Sequence, residues 1–353
     1  MNSQVYPAVV AIVVGAAVGV VLFVPFVAVQ YRRAGRLTFG QLALWSAFLV
    51  YGFALWTYTL LPMPARSAVR CVGAQTTPLR FLDDIRQYPY ASLGALAHNP
   101  AFMQFALNVL LFVPLGFFIR MIWRRGFVVS TVAGFAISLL IETTQRTGVW
   151  GLYRCAYRFF DVDDLIANTG GAFVGAILSI ALIPMLSRRR GGAVVGPRRV
   201  TLGRRALGML CDALSFFLVG MFAGVAVQAF RYVVLDRELS ADSAATQLAV
   251  TAVPLVVFGL IAVTTGRTPG DMAVQLSWAD GVRPLPLRGL LRFAGGIGGW
   301  QALAAFAPGW DALFLVAVVI AVIATPRRGG LPGLLSGARP VDARAAAASH
   351  PRG

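Results

Sequence analysis

Charged and amide side chains gather where two neighbouring apolar segments end and begin. Glu142 and Gln145 close one apolar run, and Asp164 and Asn168 lie near the start of the next. The members of each pair are three or four residues apart and therefore share one face of an α-helix. Charges beside hydrocarbon are costly and usually mark function. The predicted functional polar cluster comprises Asn108, Glu142, Gln145, Arg146, Arg158, Asp161, Asp163, Asp164 and Asn168.

Structural roles for the same residues stay open. Asp161 or Asp163 could cap the following helix, where an anion suits the positive end of the helix dipole. Asn108 could satisfy a backbone kinked by Pro114. The carboxylates and the amide could supply oxygen ligands to a divalent cation. The neighbouring arginines and the absence of a nearby histidine argue against this, so we expect no metal and no cofactor.

Composition identifies the class of protein. The chain has 353 residues, 58% of them hydrophobic and only 13% charged. Apolar runs of about 20 residues, the length that crosses a bilayer, recur along it. We predict an all-α, polytopic integral membrane helical bundle of about nine transmembrane helices in two sub-bundles. The runs lie near 7–29, 39–61, 102–120, 127–145, 165–186, 206–229, 247–264, 293–307 and 311–325.

The basic residues predict orientation. All 31 are arginine. Successive loops lie on opposite sides of the membrane, and most of the arginines lie on the side opposite to the loop that carries Arg154 and Arg158. Cytoplasmic loops retain positive charge. We therefore expect a multi-pass cell-membrane protein with its N-terminus outside and its C-terminus in the cytoplasm. The net charge of +17 then reflects topology and contact with membrane lipids, and we expect no nucleic-acid partner.

The basic, glycine-rich stretch 187–204 is typical of a linker. It divides the chain into a five-helix membrane domain at 1–186 and a second membrane domain at 205–341, with a disordered tail at 342–353. Whether 293–325 makes one broken crossing or two stays open. The oligomeric state also stays open.

Two motifs in the first half resemble the VanZ-like family of bacterial membrane proteins. One is NVLLFVPLGFF, from Asn108 to Phe118; the other joins E-x-x-Q, at Glu142 and Gln145, to DVDDLIANTGGAFVG, which begins at Asp161. The resemblance covers roughly residues 40–185. It implies a cell-envelope role in the area of glycopeptide-antibiotic resistance, without implying a particular reaction.

The second half resembles the RDD family over about 200–341. The motifs are RRALGMLCDALSFF, from Arg204, and GRTPGDMAVQL, from Gly266. The chain departs from the family pattern at Asp271, where a basic residue is usual, and lacks a later Asp. Some members are linked to cation transport. The residues that carry the resemblance are Arg205, Asp212, Gly266, Thr268, Pro269 and Gly270.

Two side-chain pairings are also expected. Asp212 lies about one turn inside the membrane boundary and could pair with Arg204, Arg205 or Arg292, or carry ions. Cys71 and Cys155 both fall in predicted outer loops, where a disulfide persists. Cys211 is predicted to lie within the membrane, which leaves the other two as each other's candidate partner. The alternative of two unpaired thiols in mobile loops stays open.

Three functions remain open. The first is an outer-face polar cluster that recognises a lipid-linked cell-wall precursor, another lipid or an amphiphilic antibiotic. The second is a transporter or cation exchanger, and the third is an intramembrane enzyme acting on a lipid head group. No motif of a soluble enzyme appears, which argues against an enzyme without excluding one. Arginines beside the cluster favour recognition of an anion or phosphate.

Overall fold

The computed structural model describes residues 5–60, 69–187, 196–238, 240 and 243–348. The contacts divide the chain into two compact units. Unit 1 comprises Met1–Ala17 and Phe39–Gly191, and unit 2 comprises Val18–Thr38 and Gly192–Gly353. The first helix therefore contributes residues to both units, whereas the sequence predicted that it belongs to the first domain alone.

Unit 1 is built from long apolar helices joined by short elements. Helix α1 (Val5–Ala34) begins in this unit and is followed by α2 (Phe39–Leu60). After strand β1 (Ala74–Gln75) come two short helices, α3 (Phe81–Arg86) and α4 (Leu93–Ala97). The remaining elements are α5 (Pro100–Trp123), α6 (Phe127–Arg146), α7 (Gly148–Gly151), β2 (Phe160–Asp161) and α8 (Val162–Ser187).

Helices α5 and α8 approach each other at glycines. A Cβ atom at Gly171 would lie 2.1 Å from the carbonyl oxygen of Val109, and one at Gly175 would lie 1.8 Å from that of Val113. No larger residue fits at such distances. The four-residue spacing of these glycines lets the two backbones touch, as small residues do in membrane helix pairs.

Residues 69–99, the described part of the chain between α2 and α5, are attached to the segment that leads into α8. Cys71 and Cys155 form a disulfide with their Cα atoms 5.5 Å apart. Strands β1 and β2 pair in parallel, with Gln75 opposite Asp161. The ring of Phe81 stacks on that of Phe105, with 4.0 Å between their centroids. These links fix the segment beside the polar ends of α6 and α8.

Unit 2 contains the second half of the chain and the end of α1. Its long helices are α9 (Leu202–Val233) and α10 (Ala244–Thr265), followed by α11 (Pro269–Ala273) and strand β3 (Leu276–Asp280). Strand β4 pairs antiparallel with β3, from Leu276 opposite Asp342 to Asp280 opposite Ala338. The remaining elements are α12 (Leu285–Ala294), α13 (Ile297–Phe306), α14 (Trp310–Ala324), a 3₁₀ turn (Pro326–Arg328), α15 (Gly330–Ser336), β4 (Ala338–Asp342) and α16 (Ala343–Ala348).

Seven of the described helices are long and apolar enough to cross a membrane. They match the first seven predicted runs and confirm an all-α polytopic membrane protein. The two remaining runs differ from the prediction. Residues 293–307 are divided at Gly295 and Gly296 between α12 and α13, each of ten residues, and the 15-residue α14 is shorter than the other seven.

The predicted linker and tail are partly ordered. Residues 188–195 of the linker lie outside the described residues, whereas Thr201 caps α9 by accepting a hydrogen bond from the backbone N–H of Arg204. The stretch predicted as a disordered tail begins with Asp342, which ends β4 and is 3% exposed, and continues into α16. Residues 349–353 also lie outside the described part.

Candidate functional site

A cavity of about 250 Å³ in unit 1 is lined mainly by polar side chains. Its walls come from the ends of α2 and α6, the first part of α8 and the middle of α5. Six of the nine residues predicted from the sequence line it: Asn108, Glu142, Gln145, Arg158, Asp164 and Asn168. The other three, Arg146, Asp161 and Asp163, lie around it.

Glu142 and Asn168 are buried parts of the cavity wall, at 3% and 5% exposure. Oε2 of Glu142 accepts a hydrogen bond from the backbone N–H of Asp161, 3.2 Å away. Nδ2 of Asn168 donates to Oγ of Ser138 at 2.9 Å, whereas its Oδ1 is buried without a partner among the described residues. A buried acceptor without a hydrogen-bond donor is costly. The described protein groups therefore leave one acceptor in this wall without a donor.

Asp164 and Gln145 are held by neighbouring helices. Nδ2 of Asn108 donates a hydrogen bond to Oδ1 of Asp164. The structure therefore places Asn108 in direct contact with the cluster, whereas the sequence left open a purely structural role next to Pro114. Nε2 of Gln145 donates to the carbonyl oxygen of Thr59 at 2.7 Å, which joins α6 to the end of α2.

The two remaining aspartates organise the backbone beside the cavity. Oδ1 of Asp161 accepts the backbone N–H of Asp163 at 2.8 Å and so caps α8. The carboxylate of Asp163 accepts the backbone N–H groups of Leu79, at 2.6 Å, and Phe81, at 2.8 Å. Burial raises the pKa of Asp161 above its ordinary value, and the hydrogen bond from Asp163 opposes that shift. Both residues hold the loop in place.

The arginines near the cluster occupy different positions. Arg158 is half-buried and lines the cavity. Arg146 is exposed, with its guanidinium 5.2 Å from the centroid of the Phe160 ring. Arg154 is also exposed and does not line the cavity. One arginine and two carboxylates therefore face this space, so its charge does not favour an anion as the sequence suggested.

Unit 2 contains a buried ion-pair network centred on Asp271. Its Oδ1 lies 3.0 Å from Nη1 of Arg205, and its Oδ2 lies 2.5 Å from Nη2 of Arg292. Nε1 of Trp278 donates to the same Oδ2 at 2.9 Å, and its ring lies 3.8 Å from the Arg292 guanidinium. Burial alone would raise the pKa of Asp271, but the two guanidinium groups lower it below its ordinary value.

The hydrogen-bond partners of Asp212 are neutral groups, whereas the sequence predicted a pairing with an arginine. Its Oδ2 accepts a hydrogen bond from the Thr268 hydroxyl at 2.8 Å, and its Oδ1 accepts the backbone N–H of Gly270 at 2.7 Å. The arginines proposed as its partners are bound to other aspartates: Arg205 and Arg292 to Asp271, and Arg204 to Asp342 at 2.9 Å.

The other residues of the second motif lie where α9, α10 and α11 meet, and two of them, Thr268 and Gly270, contact Asp212. Thr268 and Pro269 begin α11, and a Cβ atom at Gly270 would lie 2.0 Å from the carbonyl oxygen of Gly208 on α9. The carbonyl oxygen of Gly266, at the end of α10, accepts a hydrogen bond from Arg292. The motif thus folds into one compact group that joins α9, α10 and α11.

Sequence reasoning missed the central role of Asp271 and the contribution of Ser138. In the sequence, Asp271 stands out only as a departure from the RDD family pattern. Its aspartate character beside an apolar segment was the available signal, since such a charge needs a partner. Ser138 lies four residues before Glu142, on the same helix face, and that spacing was the signal for it.

Comparison with known proteins supports part of the resemblance. Residues 48–184 match the family model of VanZ/LLP1. No curated protein and no solved structure matched the chain. Nothing in these comparisons supports an RDD-like domain, so that resemblance stays a prediction. The chain is a membrane protein, and its N-terminal part is VanZ-like.

Proposed function

We propose that this chain is a VanZ-like cell-envelope protein whose unit 1 cavity recognises the polar head of a lipid or lipid-linked ligand. The observation that carries the proposal is the grouping of two carboxylates, three amides and an arginine around one cavity of about 250 Å³. A space of this size accommodates a head group rather than a whole amphiphile.

The position of the cavity favours an amphiphilic ligand. Glu142 lies four residues before the end of α6, about 6 Å along the helix axis. Asp164 lies in the first turn of α8. The cavity therefore sits close to the helix ends, where a polar head can enter while its apolar tail stays among lipid chains. An ion path would need carboxylates nearer to mid-membrane depth.

The chemistry of the lining selects for hydrogen-bond donors. Glu142 and Asp164 offer carboxylate oxygens, and Oδ1 of Asn168 is an acceptor without a partner in the described part of the chain. Hydroxyl, amide N–H and ammonium groups complement such a surface. The sugar and peptide groups of a lipid-linked cell-wall precursor, or of an amphiphilic glycopeptide antibiotic, carry these donors.

The disulfide supports an outward orientation for this end of unit 1. Cys71 and Cys155 lie in the segments next to the cavity, and disulfides persist in oxidising compartments outside the cytoplasm. The distribution of arginines favours the same orientation. We propose that the N-terminus lies outside and the C-terminus in the cytoplasm, with the cavity at the outer surface.

Antibiotic susceptibility tests this function. The gene would be expressed in a susceptible bacterium, and inhibitory concentrations of glycopeptides with and without lipid tails would be measured. We expect lower susceptibility to at least one of them. Glu142→Gln should abolish the effect, because it removes a charge from the cavity wall while keeping the shape of the side chain.

Asp83→Asn is the matched control. This variant also removes one carboxylate charge from unit 1. The Asp83 side chain, however, is 72% exposed and pairs with Arg86 outside the cavity. Immunoblots of membrane fractions would verify equal abundance. Full resistance in the Glu142→Gln variant at normal abundance would contradict the proposed role of the cavity.

A further inference from the structure

A second cavity, in unit 2, has a lining of opposite charge. It has a volume of about 440 Å³ and lies between the end of α1 and the start of α9. Four arginines line it, and none of the described residues in its wall is acidic. The four are Arg36, Arg198, Arg199 and Arg204.

One nearby carboxylate offsets only part of this charge. Oδ2 of Asp342 lies 2.9 Å from Nη1 of Arg204 and also accepts the backbone N–H of Arg198 at 3.0 Å. The same carboxylate binds Arg344, again at 2.9 Å. Asp342 therefore serves more than one arginine, and the cavity keeps a net positive charge.

The arginines of the cavity are arranged differently from one another. Arg204 is 5% exposed and also donates to the carbonyl oxygens of Val274 and Gln275. Its guanidinium is thus fixed in place. Nε of Arg198 is buried without a hydrogen-bond partner among the described residues, whereas Arg199 is exposed. A fixed cation beside a donor without a partner is a surface prepared for an acceptor-rich anion.

The cavity lies at the ends of two helices that are long enough to cross a membrane. Helix α1 ends at Ala34 and α9 begins at Leu202. Such ends lie at the depth of lipid phosphate groups. The apolar side chains of Leu37 and Leu207 complete the wall. Basic pockets between membrane helices bind lipid head groups in this way.

We propose that this cavity binds a phosphate-bearing anion, supplied either by an anionic lipid head group or by a small soluble phosphate. Guanidinium groups form paired hydrogen bonds to phosphate oxygens. The start of α9 adds the positive end of its helix dipole to the same space. The site belongs to unit 2 and is separate from the proposed function of unit 1.

Binding to the purified full chain in detergent tests the site. The probes are short-chain phosphatidylglycerol, short-chain phosphatidylcholine and inorganic phosphate, and native mass spectrometry would count the bound molecules. We expect retention of phosphatidylglycerol in preference to phosphatidylcholine. The Arg36→Gln/Arg199→Gln double variant should bind phosphatidylglycerol at least about tenfold more weakly, since each arginine near an anionic lipid head group adds to the attraction.

The Arg32→Gln/Arg33→Gln double variant is the matched control. It removes two charges from the same end of α1, at exposed residues that do not line the cavity. We expect its affinity to stay within about twofold of the wild type. Competition by inorganic phosphate would assign the site to a soluble phosphate, and its absence would assign the site to a lipid head group.

Two results would overturn the proposal. Equal weakening in both double variants would mean that net charge alone attracts the lipid. No preference for phosphatidylglycerol, together with no binding of inorganic phosphate, would mean that the cavity holds neither source. Arg36→Lys/Arg199→Lys keeps the charge, so it provides a folded comparison if the glutamine variant proves unstable.

Discussion

The carboxylate of Glu142 accepts the backbone N–H of Asp161 at a distance of 3.2 Å. This bond joins the last turn of α6 to the residue that caps α8. A single side chain thus lines the cavity and fixes the entry of the next helix. Removing the Glu142 side chain therefore alters both the cavity wall and the chain segment that enters α8. The isosteric change to glutamine is for this reason more informative than truncation to alanine.

The contact between α5 and α8 predicts a sharp difference between two glycines of one helix. Gly175→Ala should destabilise unit 1 by about 1–3 kcal/mol or more, because the new Cβ would lie 1.8 Å from the Val113 carbonyl oxygen. Gly170→Ala meets nothing within 4 Å and should be neutral or stabilising by up to about 1 kcal/mol. Thermal unfolding in detergent measures both. Equal tolerance of the two changes would contradict the close approach.

The disulfide should contribute to the stability of unit 1. Reduction of the bond between Cys71 and Cys155 should lower the unfolding temperature, corresponding to a loss of about 2–4 kcal/mol, because it releases a constraint on the unfolded loop. Alkylation followed by mass spectrometry would check the bond in protein purified without reductant. The Cys71→Ser/Cys155→Ser variant should respond little to reductant. Two free thiols in the untreated protein would refute the pairing.

Breaking the Asp271 network should be far more costly than breaking an exposed ion pair. Asp271→Asn leaves Arg205 and Arg292 buried without their shared counter-charge, and we expect a loss of about 3–5 kcal/mol. Asp280→Asn breaks an exposed pair with Arg339 and should cost less than about 1 kcal/mol. Chemical unfolding of both variants gives the comparison. A loss for Asp271→Asn no larger than that for Asp280→Asn would argue against a buried network.

Asp342 should stabilise unit 2 in a pH-dependent manner. Burial would raise the pKa of Asp342, but hydrogen bonds from Arg344, Arg198 and Arg204 hold it below its ordinary value. The ionised carboxylate therefore stabilises the fold in full above about pH 4, and this contribution is lost as the pH falls toward the lowered folded value. Asp342→Asn should thus be less stable than the wild type at neutral pH, with a difference that narrows in acid.

Asp161 should affect stability with the opposite pH dependence to Asp342. Because the pKa of Asp161 is raised in the folded protein, ionisation of Asp161 destabilises the fold as the pH rises above the ordinary pKa of an aspartate. The stability of Asp161→Asn relative to the wild type should therefore increase toward neutral pH. Asparagine remains a good helix cap. Unfolding curves collected between pH 3 and pH 7 would test both variants. Parallel pH profiles for the two would contradict the assigned shifts.

Hydropathy predicted the seven long helices because apolar length alone selects a membrane-spanning segment. It could not locate the break at Gly295 and Gly296, since the apolar composition continues across both. Strands β1 and β2 escaped prediction because two residues carry no periodic pattern. Hydropathy in the local sequence therefore predicts the long helices, whereas the short elements depend on contacts between residues far apart in the sequence.

The candidate site was predictable where helical spacing applies. Glu142 with Gln145 and Asp164 with Asn168 share helix faces, and all four line the cavity. The partners of Asp271 were not predictable, because 66 and 21 residues separate it from Arg205 and Arg292. Separations of that size are closed only by the tertiary fold.

The membership of α1 in both units has a practical consequence for dissecting the protein. Val27 and Tyr31 pack in one apolar cluster with Cys211, Val274 and Leu276, so the first helix completes the interior of unit 2. A fragment beginning at the basic stretch after α8 would lack that helix and expose the apolar cluster to solvent or lipid. Cutting the gene there yields an incomplete unit 2, and we expect co-expression of α1 as a separate peptide to restore it.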